Sequence, residues 1–258
     1  MKRKFFSGNV PCGASCSYCF AKWQNVESKH PIFAVEKLIK SDDDSVIIYP
    51  CCDSEFFEQS IPLKDILKLK NRFIYVSIST KQMINTNQLN YLKLLDNELK
   101  RENRGFVKLS VSFSNKYYID RLEKGTTTYR QRVNLLEQVQ NMGIYTSAII
   151  KPILPFITLT EYKEIIDDLA FIKKFVLGDL YVDINSRFYK EYIEGKYDVS
   201  IRKVAWLNEP EYWNVIEDVE KKRQLYEYIE KKSCEYFESD NNLILSYIHK
   251  KMRDFIDE

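Results

Sequence analysis

Apolar, strand-like runs alternate with helix-forming stretches from residue 3 to about residue 185, and this alternation restricts the chain to a parallel α/β sheet with right-handed crossovers. Arg3 to Asn9 reads as a short first strand. Ser45 to Pro50 is the second, rich in β-branched residues, and Arg72 to Ser79 and Gly105 to Phe113 are the third and fourth. Ile144 to Lys151 is the fifth, and Leu177 to Asp183 a weaker sixth. The clearest helical pattern is Tyr129 to Met142, with Val133, Leu136, Val139 and Met142 on one face and Gly143 as its stop. The next opens on Thr158-x-x-Glu161, a capping-box pattern, and turns Tyr162, Ile165, Ile166, Leu169 and Ile172 inward. Beyond residue 186 Tyr and charged residues dominate, and Glu209 to Glu238 reads as one or two amphipathic helices. Six strand–helix units suit a partial (β/α)6 TIM-like barrel with parallel strands and a C-terminal helical extension. An open flavodoxin-like sheet is the alternative. The expected division is a core barrel over 1–185 and a helical extension over 186–258 packed on it.

The bulk composition narrows the function classes. Hydrophobic residues make up 45% and charged residues 29% of the 258, an ordinary balance for a globular chain. A formal net charge of +2 gives no general attraction to nucleic acid. No apolar run is long enough to span a membrane, and Met1-Lys2-Arg3-Lys4 is not followed by a signal-peptide stretch. Six cysteines without a secretion signal fit a reducing cytoplasm, which is the expected location. Only two histidines, His30 and His249, are present, so histidine acid–base chemistry is not the centre of any mechanism.

The chemistry lies in Cys12-Gly13-Ala14-Ser15-Cys16-Ser17-Tyr18-Cys19-Phe20, a C-x3-C-x2-C loop after the first strand. Three thiolates can hold three irons of a [4Fe–4S] cluster and leave the fourth open to a small molecule. A zinc site would need a fourth ligand from His30 or a distant cysteine. Three buried structural cysteines are a third reading. Other unusual residues fall at predicted strand ends, where barrels of this kind collect their chemistry. Cys51-Cys52-Asp53-Ser54-Glu55 follows the second strand and Thr80-Lys81 the third. Ser110, Ser112 and Ser114 alternate along the fourth, Lys151-Pro152 closes the fifth, and Asp183 and Asn185 close the sixth. Cys234 is isolated in a charged stretch.

The cysteine loop resembles that of the radical S-adenosylmethionine (SAM) enzymes. The pieces Cys52-Asp53-Ser54, Ile78-Ser79-Thr80-Lys81, Leu122-Glu123-Lys124-Gly125, Arg132-Val133, Met142-Gly143-Ile144 and Lys151-Pro152-Ile153-Leu154-Pro155 resemble one branch of them. That branch is the spore photoproduct lyase and DNA-repair-photolyase-like group, and the likeness spans roughly the first two-thirds of the chain. The resemblance implies Cys12, Cys16 and Cys19 as ligands of a [4Fe–4S] cluster whose open iron takes SAM. It implies Lys81 at the SAM carboxylate, Ser54 and Ser112 hydrogen-bonded to SAM, and Tyr18 on its adenine side. Glu123 and Arg132 would help hold SAM or the wall around it, and Ser110, Pro152 and Asn185 complete the expected cofactor-binding set. Cys52, or its neighbour Cys51, would donate a hydrogen atom to a product radical. The implied activity is reductive cleavage of SAM to a 5′-deoxyadenosyl radical that abstracts hydrogen from a substrate. Electrons would come from a flavodoxin or ferredoxin-type reductant. The substrate is expected to be a nucleic-acid base, with a peptide or protein side chain as the alternative. A non-catalytic iron–sulfur or zinc binding module is the reading of another class. The chain departs from the lyase in being short and in lacking a basic cluster beyond residues 1–4 and Lys221-Lys222-Arg223, so thymine-dimer repair does not follow from the likeness.

Overall fold

The computed structural model describes residues 1–22, 32–39, 43–69, 72–204 and 211–254, with side chains to residue 249. Strands β1 (Lys2–Phe5), β2 (Ser45–Tyr49), β3 (Phe73–Thr80), β4 (Gly105–Ser112), β5 (Tyr145–Ile150) and β6 (Lys174–Leu177) lie side by side in sequence order. All neighbours in this sheet pair in parallel. Between them run α1 (Val35–Ile39), α2 (Thr86–Arg101), α3 (Ile119–Leu122), α4 (Tyr129–Asn141) and α5 (Leu159–Asp168). Phe5 near one edge and Val176 near the other line a single cavity, so the sheet curls as a partial barrel.

The helix ends follow the sequence signals. Thr128 caps α4 by accepting from Gln131 N, and Gln131 answers in a capping box. Gly143, at φ +72°, ends it in the left-handed conformation that glycine adopts without steric cost. Thr158 caps α5, but Glu161 does not close the expected box. Its carboxylate instead accepts from Lys116 N at 2.7 Å and Tyr117 N at 3.3 Å, tying down the loop after β4.

Two expectations change beyond β5. The sixth barrel strand is Lys174–Leu177, upstream of the expected Leu177–Asp183. Gly178-Asp179 breaks that run, and Leu180–Val182 becomes β7 of a separate sheet. That small antiparallel sheet has the order β7-β9-β8, with β8 at Ser200–Lys203 and β9 at Tyr212–Ile216. The stretch expected as one or two helices over Glu209–Glu238 therefore holds one helix, α7 (Val219–Lys231), between strands β9 and β10 (Glu235–Phe237). Residues 209 and 210 lie outside the described residues. α6 (Arg187–Tyr192) follows β7, capped by Ser186. β10 adds a seventh parallel strand beside β6, and α8 (Asp240–Asp254) follows it.

The two faces of the sheet are covered differently. The outer face (Val46, Ile48, Val76, Val107, Leu109, Ala148, Phe175) packs on the apolar stripes of α2, α4, α5 and α7. The inner face carries Ile47, Tyr75, Phe106 and Ile149, and α8 packs on it with Leu243, Ile244, Tyr247 and Ile248. Tyr247 Oη donates to Thr146 O at 2.8 Å. The final helix thus plugs the barrel from below.

Candidate functional site: the cysteine-lined cavity

The cysteine loop is held by a second loop, not by its own turns. Ser17 N donates to Leu122 O at 2.8 Å, and Gly125 N to Ala14 O at 3.0 Å. Cys16 and Glu123 form an isolated antiparallel bridge. The approach is so close that a Cβ on Gly125 would lie 2.0 Å from Gly13 O, which explains glycine there. Gly13 N donates to Glu58 Oε2 at 2.8 Å, fixing the other side.

Beneath this loop sits a buried charge cluster. Glu123 and Arg132 have wholly buried side chains 2.5 Å apart. Lys81 Nζ lies 3.0 Å from Glu123 Oε1 and donates to Tyr18 Oη at 2.5 Å and Ser114 Oγ at 3.3 Å. Tyr18 Oη in turn donates to Glu123 Oε1. Arg132 completes its fork on the carbonyls of Ser112 and Thr127, at 3.0 and 3.1 Å. Burial alone would raise the Glu123 pKa, but Lys81 and Arg132 outweigh it and hold the carboxyl at about 2. Burial would lower that of Lys81, and the facing Cys16 and Glu123 raise it instead, so the ammonium stays charged. Only Lys81 and Tyr18 of this cluster reach the cavity. Glu123 and Arg132 brace Lys81 from behind the cavity wall and do not line it.

The turn after β2 forms the facing wall. Cys52 N donates to Phe6 O at 2.9 Å. Cys51 Sγ lies 2.9 Å from Ser54 Oγ, whereas the Cys52 thiol has no hydrogen-bond partner in another residue among the described residues. Burial pushes the Cys51 thiol up to about 12 and that of Cys52 higher still. Asp53 Oδ1 accepts from Gly8 N at 2.9 Å. Glu55 accepts from Thr80 Oγ1 at 2.6 Å and Lys81 N at 3.1 Å, joining the β2 and β3 turns.

These elements enclose a cavity of about 360 Å³ at the carboxyl ends of the strands. Cys12, Cys16 and Cys19 all line it, as do Cys51, Cys52, Ser54, Ser112 and Pro152. Ser110 lies deeper, its hydroxyl 2.6 Å from Ser147 Oγ, and does not reach the cavity. Asn185 is exposed beyond β7 and belongs to a turn on Asp183, because the strand it was expected to close is not a barrel strand. The zinc alternative's His30 lies outside the described residues. Sequence reasoning missed the floor. There Asp240, at the start of α8, receives Lys108 Nζ and Ser77 Oγ. Asp240 is more than 130 residues from Lys108 along the chain, so no local pattern could have announced this contact.

The donor set fits an iron–sulfur cluster by its chemistry. Three soft thiols of one short loop share the cavity, and a fourth donor is lacking in the loop. No three His, Cys, Asp or Glu side chains among the described residues are yet gathered closely enough to hold a metal ion. Burial pushes the Cys12 thiol up to about 11, so ligation would release its proton. No helix among the described residues is long and apolar enough to cross a membrane.

No family model matches the chain, and no curated protein matches it in sequence. Solved structures do. A spore photoproduct lyase variant with dinucleoside spore photoproduct superposes with a TM-score of 0.60 at 13% identity, covering 89% of this chain and 74% of that one. A variant of the same enzyme with bound AdoMet and dinucleoside spore photoproduct gives 0.52 at 15% identity, over 87% and 72%. SuiB of Streptococcus suis gives 0.56 at 11% identity, over 91% of this chain but 48% of SuiB. The chain shares their fold, a parallel α/β partial barrel of the kind that the cysteine-loop resemblance implied.

Proposed function

We propose that this chain is a radical SAM enzyme. The observation that carries the reading is the convergence of the Cys12, Cys16 and Cys19 thiols on one cavity beside Lys81, at the carboxyl ends of a curled parallel sheet. A [4Fe–4S] cluster on these three thiols, with SAM on its open iron, would supply reductive cleavage of SAM to methionine and a 5′-deoxyadenosyl radical. The chain's own residues do the rest. Lys81, fixed by Glu123, Tyr18 and Ser114, offers an oriented cation for the SAM carboxylate, a charge-assisted contact. Ser54, in the turn after β2, and Ser112, at the end of β4, both line the cavity and offer hydroxyls to SAM. The Cys52 thiol, kept protonated by burial, is suited to give a hydrogen atom to a carbon radical. The acceptor we propose is a nucleic-acid base, a reading supported by the fold shared with structures holding dinucleoside spore photoproduct. A cytoplasmic location and a flavodoxin or ferredoxin-type electron donor belong to the same proposal.

Anaerobic reconstitution tests it. About four irons per chain should bind, and strong reductant with SAM should yield 5′-deoxyadenosine. A variant with all three loop cysteines changed to Ala should do neither. If it binds iron with an unchanged spectrum, or if the reconstituted wild type leaves SAM intact, the reading is wrong.

A further inference from the structure

Two lysines line the cavity, and they are in opposite states. Lys81 is committed to Glu123, Tyr18 and Ser114. Lys151, at the end of β5, makes no hydrogen bond or ion pair through its ammonium among the described residues. Its side chain is exposed and lines the cavity, and partial desolvation there lowers its pKa against the pull of Asp179 and Asp240.

The acids nearby do not explain it. Asp179 is bound by Arg202 at 2.5 Å and Lys222 at 3.1 Å. Asp240 is bound by Lys108. Lys151 therefore presents an uncompensated cation to the cavity, and an anionic ligand group would supply its counter-charge.

The lysine is also placed. Ser112 Oγ and Ser114 Oγ donate to its carbonyl at 3.3 and 3.1 Å. Its stem lies against Gly178, where a Cβ would come within 2.7 Å of Cδ and 2.9 Å of Cγ. Glycine at 178 therefore leaves the groove in which the side chain runs. Ile149 and Val176 beside it, with Tyr181 opposite, give the adjoining wall an apolar character.

We infer that Lys151 is a substrate-binding residue, and that the substrate carries an anionic oxygen group, phosphate or carboxylate, next to an apolar or aromatic body. The inference rests on the radical SAM reading, in which the Lys81 side of the cavity is taken by SAM and the Lys151 side is left for the substrate.

Two matched probe pairs test it by calorimetry on the reconstituted protein with SAM present. Thymidine 5′-monophosphate against thymidine reports phosphate, and N-acetylphenylalanine against its amide reports carboxylate. The anionic member of one pair should bind roughly tenfold or more tightly than its neutral partner, as a charge-assisted contact requires. That preference should disappear in Lys151→Gln and persist in Lys151→Arg. Gly178→Ala keeps the charge but crowds the stem, and it should weaken the same preference. The inference is overturned if neither pair shows an anion preference, or if the preference survives in Lys151→Gln. It is also overturned if Lys151→Gln loses SAM affinity in parallel, for Lys151 would then hold the SAM carboxylate. Absence of 5′-deoxyadenosine from the wild type, measured in the same preparations, would strike the enzyme reading and not this one.

Discussion

At the scale of single residues, the site depends on compensation of buried charge. Glu123 stands between two cations, and its side chain is fully buried. Glu123→Gln leaves Lys81 and Arg132 as unbalanced like charges, and breaking a buried pair in this way costs about 3–5 kcal/mol. The expected outcome is a lower urea midpoint at unchanged slope, together with weaker iron retention because Glu123 also bridges Cys16. An unchanged midpoint would mean that the cluster relaxes freely. Gly125→Ala acts on the same junction by shape. Its Cβ would overlap Gly13 O, so the two loops must part, at a cost of roughly 1–3 kcal/mol. Denaturation would register the loss, and iron analysis should show poorer reconstitution. Cys52→Ala is expected to leave both cluster assembly and SAM cleavage in place, since neither needs that thiol. It would divert the substrate radical to by-products, visible in product analysis by mass spectrometry once a turned-over substrate is available.

At the scale of elements, α8 closes the underside of the barrel. It inserts apolar residues under the sheet and presents Asp240 to the buried Lys108 and Ser77. Asp240→Asn should destabilise the fold by about 3–5 kcal/mol, because Lys108 loses its counter-charge inside the barrel. The pH dependence has a definite sign. Burial lowers the pKa of Lys108 relative to the unfolded chain, so the unfolded state binds more protons. Protonation therefore penalises the folded variant at low pH. Its stability should rise as pH climbs through the folded-state value toward the ordinary lysine pKa of about 10.4. Replacing the pair together, with Lys108→Met and Asp240→Leu, should recover most of the loss. If the double variant is as unstable as the single one, the defect lies in packing and not in charge.

At the scale of the whole molecule, β10 and α8 near the end of the chain are part of the barrel. β10 extends the main sheet beside β6, and α8 covers inner-face residues of β2, β3, β4 and β5. A chain ended after Phe237 should lose cooperative unfolding and bind a hydrophobic dye, because Ile47, Tyr75, Phe106 and Ile149 would face water. A truncated chain with an unaltered melting transition would show instead that the tail folds apart from the core. The two layers of the interior divide the work. α8 and the Ser77–Lys108–Asp240 contacts close the floor, and the cavity occupies the carboxyl ends above it.

The sequence alone determined the parallel sheet, the order of its first five strands, the helix ends at Gly143 and Thr158, and the cysteine loop. Each is written in local pattern: period-two and period-3.6 hydrophobicity, a side chain that caps the turn beginning beside it, or ligand spacing within eight residues. It also brought Tyr18, Lys81 and Ser112 to strand ends, because position along a barrel strand follows from counting residues. Tertiary structure alone decided the rest. Gly178-Asp179 split one apolar run between two sheets, since hydrophobicity does not say which neighbour a strand pairs with. Of the two roles expected for Glu123 and Arg132, at SAM or in the wall around it, the fold puts them behind the wall, because which face a loop side chain takes depends on what packs there. The same reason separates Lys151 from Lys81. Both are lysines that end barrel strands, and only the fold gives one a carboxylate and leaves the other facing open space.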